Sequence, residues 1–278
     1  VDLSTQTVEL PGAMSGFLAR PGRVEEPLPG VLVLQEIWGV DAHMEDIAQR
    51  FAAAGYVALA PDLFSKGGGR PPALATERVT AVKRFLDKVP PQGWGALMNP
   101  EQREKEIAAK LEQIERAPIS ETLGQLLNPD RMARMGEYIK DTLASLQWLR
   151  EQPFCRGRRL GAVGFCMGGG LAAGLATEDP GLGAAVSFYG GPPVAEKIPN
   201  IQCPILVFVG DEDARLVPQL PAFEQAMKLA GKEMELHMYP KTPHAFFNDT
   251  RVSYRVEAAR DAWARTLALF ARTLAMTA

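Results

Sequence analysis

Residues 158–177, RRLGAVGFCMGGGLAAGLAT, set one cysteine between a short apolar run and a run of small residues. LGAVGF has the composition of a buried strand, and the residues after Cys166 open a helical pattern. Gly164-Phe-Cys166-Met-Gly168 therefore reads as a strand–turn–helix elbow with a nucleophile at its tip. Such a turn admits little bulk two positions to either side, because strand and helix approach closely and the central residue is strained. The first N–H groups of the helix favour a thiolate and can hold a developing oxyanion. On this stretch alone, a small Cys166 packed in a core is an equal reading. A phosphate cradle fits poorly, since there is neither a Walker lysine nor a G-x-G-x-x-G register.

Working outward, strands and helices alternate. Thr7–Leu10 and Met14–Ala19 suit a hairpin around Pro11-Gly12. Gly30-VLVLQ and YVALAPDLF are short apolar runs of the kind buried parallel strands show, separated by a helix over Asp41–Ala54 that stops at Gly55. Further strands are expected at Arg159–Gly164, Ala184–Tyr189, Ile205–Val209 and Glu235–Tyr239, and helices at about 136–151, 168–177, 219–230 and 253–275. This succession calls for an α/β fold, a mostly parallel sheet with helices on both faces. Residues 65–134 differ: SKGGGRPP is a flexible basic loop, and EQREKEIAAKLEQIERA is a polar helix with a thin stripe at Ile107, Leu111 and Ile114. The expectation is one domain over 1–278 with 65–134 as a helical insertion or cap over the sheet edge.

A chain of 278 residues, 46% hydrophobic, can bury a full core. Its net charge of −3 offers no electrostatic case for nucleic acid or an anionic membrane, and no run of about 18 apolar residues suggests a span. Three cysteines without CxxC spacing make neither a disulfide framework nor a cysteine-built metal site, which suits a reducing, cytoplasmic setting. VDLSTQTVEL has no basic start followed by an apolar run, so no signal peptide is expected there.

A cysteine nucleophile needs a base and an orienting acid. Of three histidines, His43 at a helix start suits capping or surface display, and His237 lies in an alternating strand, facing solvent or a neighbour. His244, in YPKTPHAFFND, falls in a Pro-containing loop after the last strand, where open α/β sheets carry reactive groups. The acid comes from ILVFVGDEDARLVP, where a buried strand delivers a carboxylate turn. Asp213 is preferred and Asp211 is the fallback. The order Cys166, Asp213, His244 is nucleophile, acid, base, each after an expected strand, as in the hydrolase triad.

VLVLQEIWGVDAHMEDIAQRFAAAGYVALAPDLF, GAVGFCMGGGLA, GDEDARLVP and PHAFFND together resemble the dienelactone hydrolase (carboxymethylenebutenolidase) family, of α/β-hydrolase fold. The likeness covers most of the chain outside 65–134. It implies hydrolysis of a lactone or ester through a thioester on Cys166, supported by Asp213 and His244, without metal or cofactor. It also implies that Glu36 interacts with the resting cysteine and assists its ionisation, that Ile37 and Met167 supply oxyanion N–H groups, and that Trp38 walls the pocket. Two departures bear on substrate. Asn248 stands where the family carries a carboxylate-binding arginine, with Ala245 where serine can occur. The second such arginine has no clear counterpart among Arg70, Arg103, Arg131 and Arg134, and Arg251 is expected mainly at the surface. The partner is thus a small ester or lactone, with a broad carboxylesterase or thioesterase, or a non-catalytic binding protein on the same scaffold, as alternatives. Oligomeric state is not legible.

Overall fold

The chain opens with a hairpin whose strands β1 (Leu3–Leu10) and β2 (Met14–Pro21) pair antiparallel about a turn at Gly12 and Ala13, both at positive φ. A computed structural model describes residues 2–89 and 91–275, without the side chains of 91–94, 131 and 132. After the hairpin come β3 (Gly30–Leu34), α1 (Ala42–Ala53) and β4 (Val57–Pro61). Every residue of β3 and β4 is buried, as strands covered on both faces require. Asp41 caps α1 by accepting from the Met44 N–H.

A helical stretch follows: α2 (Thr76–Leu86), α3 (Pro100–Lys110), α4 (Gln113–Leu126) and α5 (Pro129–Ala133). The single polar helix expected over 101–117 is two. Leu111 is extended (φ −127°, ψ 147°), and Glu112 and Glu115 form a capping box that starts α4 afresh. Arg116 seals the end of α3, donating to the Leu111 and Ala108 carbonyls. The expected stripe breaks with it. Ile107 and Leu111 are buried, whereas Ile114 is 86% exposed. Towards the rest of the chain, α2 reaches the start of α1 through Lys83 and Asp41.

The remaining elements are α6 (Met135–Glu151), β5 (Leu160–Phe165), α7 (Met167–Glu178), β6 (Ala184–Phe188), β7 (Ile205–Gly210), α8 (Leu220–Leu229), β8 (Met234–Tyr239) and α9 (Val256–Leu274). The strand order is β1-β2-β4-β3-β5-β6-β7-β8, with β2 antiparallel to both neighbours and the other pairings parallel. On one face α1 meets α9, where Phe51 lies 4.6 Å from Trp263 and 5.8 Å from Phe270 between ring centroids. On the other, α6 and α7 pack together over the central strands. This is the expected α/β-hydrolase arrangement: a mostly parallel sheet, helices on both faces and a helical insertion.

Chain direction across the sheet decides where a site can form. From β3 the chain moves outward to β4, then returns to the opposite side of β3 to lay down β5. At that reversal the loops after β3 and β5 diverge and leave a crevice at the carboxyl ends of the strands. Beneath it, Phe165, Phe188 and Phe208 lie in register on β5, β6 and β7, with centroids 4.7 and 4.8 Å apart.

Candidate active site

Cys166 sits one residue beyond β5 with φ 55° and ψ −114°, and α7 begins at the next residue. A non-glycine residue there is strained and persists only when its surroundings over-determine it. They do so by close approach. A Cβ on Gly164 would meet the Gly168 carbonyl oxygen at 1.8 Å, and one on Gly168 would meet the Leu34 oxygen at 2.2 Å. The Cys166 N–H is fixed to the Phe188 carbonyl at 3.0 Å. The thiol is thus held up at the start of α7, partly exposed, while Cys155 and Cys203 are buried and their thiols are pushed up to about 12 by burial.

His244 comes from the loop after β8. Phe246 and Phe247 pull that loop down, both essentially buried, with the Phe247 ring 5.3 Å from Phe165 and 4.8 Å from Phe188. Each such burial is worth about 1.5–3 kcal/mol, so two aromatic anchors hold the histidine over the phenylalanine floor. Ala245 takes up the bend at φ 61°. Asp213, 5% exposed, leaves the loop after β7, and its Oδ2 lies 2.5 Å from His244 Nδ1. Asp211, the fallback acid, is exposed and accepts from the Thr242 N–H at 3.2 Å.

With Nδ1 engaged, the opposite nitrogen Nε2 is shielded from solvent and lacks a hydrogen-bond partner of full geometry. Burial opposes charge on the ring, but the Cys166 sulfur and then Asp213 outweigh it and raise the imidazole to about 10. Asp213 moves the other way. Burial alone would raise it, yet the hydrogen bond and charge of His244, with Arg215 nearby, hold it below the usual carboxylate range. Sulfur, imidazole and carboxylate therefore form one electrostatic chain.

Glu36, just past β3, is 2% exposed, and both of its oxygens are engaged. Tyr189 Oη donates to Oε1 at 3.2 Å and Asn248 Nδ2 donates to Oε2 at 2.7 Å. Tyr189 follows β6 at φ 41°, fully buried, with its ring 5.0 Å from that of His244. Burial first, then the Glu36 and Cys166 charges, keep its phenol protonated well above the ordinary range. Neither Tyr189 nor this role for Asn248 follows from sequence spacing. The available signal was an aromatic residue before Gly190-Gly191, at a carboxyl edge that already carried the cysteine.

Ile37 and Met167 border the same cavity as Cys166. The Met167 N–H is the first of α7 and has no carbonyl behind it in the helix, and the Ile37 N–H meets no backbone acceptor among the described residues. Trp38 is not among the residues that border the cavity. It is buried between Lys83, 5.3 Å from its ring centroid, and Arg251, 5.7 Å away. Arg251 is accordingly not a surface residue. It is buried, donates to the Lys83 carbonyl at 3.0 Å and pairs with Asp87 at 3.2 Å. His43 is also buried rather than displayed, 3.2 Å from Asp249, because Asp41 takes the capping position instead. His237 stands away from the sulfur, beside Glu235 and Arg265.

Of the arginines considered for a carboxylate, Arg70 is bound to Asp62 and the Val40 carbonyl, Arg103 to the Leu97 carbonyl and Arg134 to Glu137. The Arg131 side chain lies outside the described residues. Among those residues, no group of three or more His, Cys, Asp or Glu side chains is arranged to hold a metal ion, and no helix is long and apolar enough to cross a membrane.

Comparison with known proteins follows the same lines. The family model described as the dienelactone hydrolase family matches residues 14–274. A Saccharolobus solfataricus protein, provisionally named a carboxymethylenebutenolidase, is 34% identical over 92% of this chain and 93% of its own length. A similarly named Synechocystis protein is 28% identical over 97% of each. Among solved structures, a protein of Klebsiella pneumoniae provisionally named a dienelactone hydrolase superposes with a TM-score of 0.71 at 26% identity, over 98% of this chain and all of the other.

Proposed function

The chain belongs to the dienelactone hydrolase family and is a hydrolase of carboxylic ester bonds; on that footing we propose that it works through a covalent thioester on Cys166. The observation that carries this reading is the 2.5 Å contact of Asp213 with His244 Nδ1, which leaves a shielded Nε2 under the influence of the Cys166 sulfur.

His244 Nε2, oriented by Asp213, takes the Cys166 thiol proton as substrate binds. The sulfur attacks the substrate carbonyl carbon, and the carbonyl electron pair moves onto oxygen. The N–H groups of Ile37 and Met167 receive that oxygen, each worth about 3 kcal/mol in comparable sites. As the tetrahedral species collapses, the carbon–oxygen bond breaks and the leaving oxygen takes the His244 Nε2 proton; in a lactone it stays tethered to the acyl group. Water then gives a proton to Nε2 while its oxygen attacks the thioester. The carbon–sulfur bond breaks, the acid leaves, and the Nε2 proton returns to the sulfur. Asp213 keeps the ring oriented throughout. Glu36, tied to Tyr189 and Asn248, fixes the backbone that carries the Ile37 N–H.

Recognition of a carboxylate draws on charge-assisted, often bidentate pairing. Arg70, Arg103, Arg134 and Arg251 are engaged elsewhere, and Asn248 serves Glu36. This favours a broad range of neutral esters and lactones over a carboxylate-bearing dienelactone. The test compares kcat/KM for such a dienelactone with that for a neutral aryl ester. The neutral ester is expected to be preferred, and strong preference for the dienelactone would overturn this substrate range. We read residues 1–278 as one domain, with 65–134 inserted as a cap. Three free thiols suit a cytoplasmic setting.

A further inference from the structure

We infer that the site takes a linear acyl chain laid along the glycine-bearing face of α7, an inference that rests on the hydrolase reading above. A cavity of about 400 Å³ opens at Cys166 and Met167 and is bordered along α7 by Gly170, Gly174, Thr177 and Glu178. That spacing marks one helix face followed from its first turn to its last. From Gly170 to Glu178 this face runs eight residue steps, roughly 12 Å at the helical rise. An extended hydrocarbon advancing ~1.25 Å per carbon would place on the order of ten carbons there.

The other bordering residues are largely apolar: Met135 and Ile139 from α6 (Ile139 packed against Gly174), Pro192, Pro193 and Val194 after β6, and Leu216 after β7. Val194 is exposed on this rim, so its apolar surface is left for a ligand to cover. At the far end Glu178 and Lys197 neutralise each other at 2.5 Å, while Arg215, from the loop that carries Asp213, also borders the cavity.

Gly170 supplies an independent argument. Gly164 and Gly168 are required by close backbone approach, but a Cβ on Gly170 would meet only ordinary contacts, at 3.5 Å from the Gly191 oxygen and 3.8 Å from the Met135 methyl. An interior glycine weakens a helix relative to alanine. At Gly170 no close backbone approach compensates for that loss, and the residue borders the cavity instead.

Chemistry fixes which half of the substrate lies there. The leaving oxygen must stand at His244 Nε2 to take its proton, and His244 is not among the residues bordering this cavity. The chain along α7 is thus the half that remains on sulfur, the acyl half.

The experiment uses two ester series on the whole chain: p-nitrophenyl esters from acetate to dodecanoate, and acetate esters of alcohols of rising length. In the first series kcat/KM should climb about two- to fourfold per added methylene, the upper figure matching ~0.8 kcal/mol per buried CH₂, and then level off near ten carbons. The second should stay nearly flat. Gly170→Leu should cut the decanoate-to-butyrate ratio at least tenfold. Ile139→Trp, on the facing helix, should do the same and guards against misfolding of the first variant. A ratio unmoved in both variants, or an equal rise with alcohol length, overturns the groove assignment alone. No turnover of any ester overturns the hydrolase reading and this inference with it.

Discussion

Asn248 Nδ2 donates to Glu36 Oε2 at 2.7 Å, joining residues 212 positions apart in the chain. A carboxylate at the end of a fully buried strand would be costly alone. Here it is shared between a neutral amide and a phenol. Asn248→Leu removes the amide donor, and a charge-assisted bond of this kind is worth about 1.5–3 kcal/mol. The unfolding free energy measured in urea should fall by roughly 2 kcal/mol, and kcat should fall with it as the Ile37 loop loosens. A stability equal to that of the parent chain would mean that water replaces the amide without loss.

Asp213 and Asp211 are two residues apart and should behave differently. Asp213 is buried against His244, whereas Asp211 is exposed and accepts from the Thr242 N–H. Asp213→Asn should lower kcat/KM by roughly 10³–10⁴, the scale found when a triad acid is made neutral. Asp211→Asn should stay within about threefold, as surface changes usually do. A greater loss at Asp211 would reassign the acid.

The pH profile follows from the same contact. His244 is held up to about 10, with the Cys166 sulfur and Asp213 favouring its charged form over burial. Activity that needs the imidazolium as proton donor persists through neutral pH and falls as pH rises through about 10. Asp213 raises this value, so Asp213→Asn must move the alkaline limb to lower pH. Buffer-corrected kcat/KM from pH 6 to pH 11 reads the shift directly. An unmoved or upward-moving limb would contradict the assigned pairing.

The glycines at the start of α7 separate close backbone approach from ordinary contact. A methyl group on Gly168 would lie 2.2 Å from the Leu34 carbonyl oxygen, which is backbone in the sheet centre and cannot yield. Gly168→Ala should therefore destabilise by more than ~3 kcal/mol, read as a lowered Tm, and abolish turnover. Gly170→Ala should fold at least as well as the parent chain, by up to ~1 kcal/mol from helix propensity. Equal Tm values for the two variants would show that strand and helix are further apart at the elbow.

Much of this architecture was legible because it is local. VLVL and LGAVGF announce buried strands, and glycines at 164 and 168 announce the turn between β5 and α7. His244 and Asp213 were legible because each follows a strand on a loop of distinctive composition. The polar stretch over 101–117 was misread because periodicity runs on through Leu111, while the capping box at Glu112 and Glu115 restarts the helix. Burial of Arg251 and His43 depends on α2 and on the loop after His244, which no spacing rule brings to their neighbours. The hold on Glu36 is likewise a product of tertiary packing, from donors 153 and 212 residues away.

The most direct measurement is intact-protein mass spectrometry on acid-quenched samples mixed with a neutral aryl ester, followed by peptide mapping. The parent chain should gain the mass of one acyl group on the peptide containing Cys166 within the first turnover and lose it as product forms; Cys166→Ala should gain none and should not turn over. An acyl group on any other residue, or undiminished turnover by Cys166→Ala, would contradict the account.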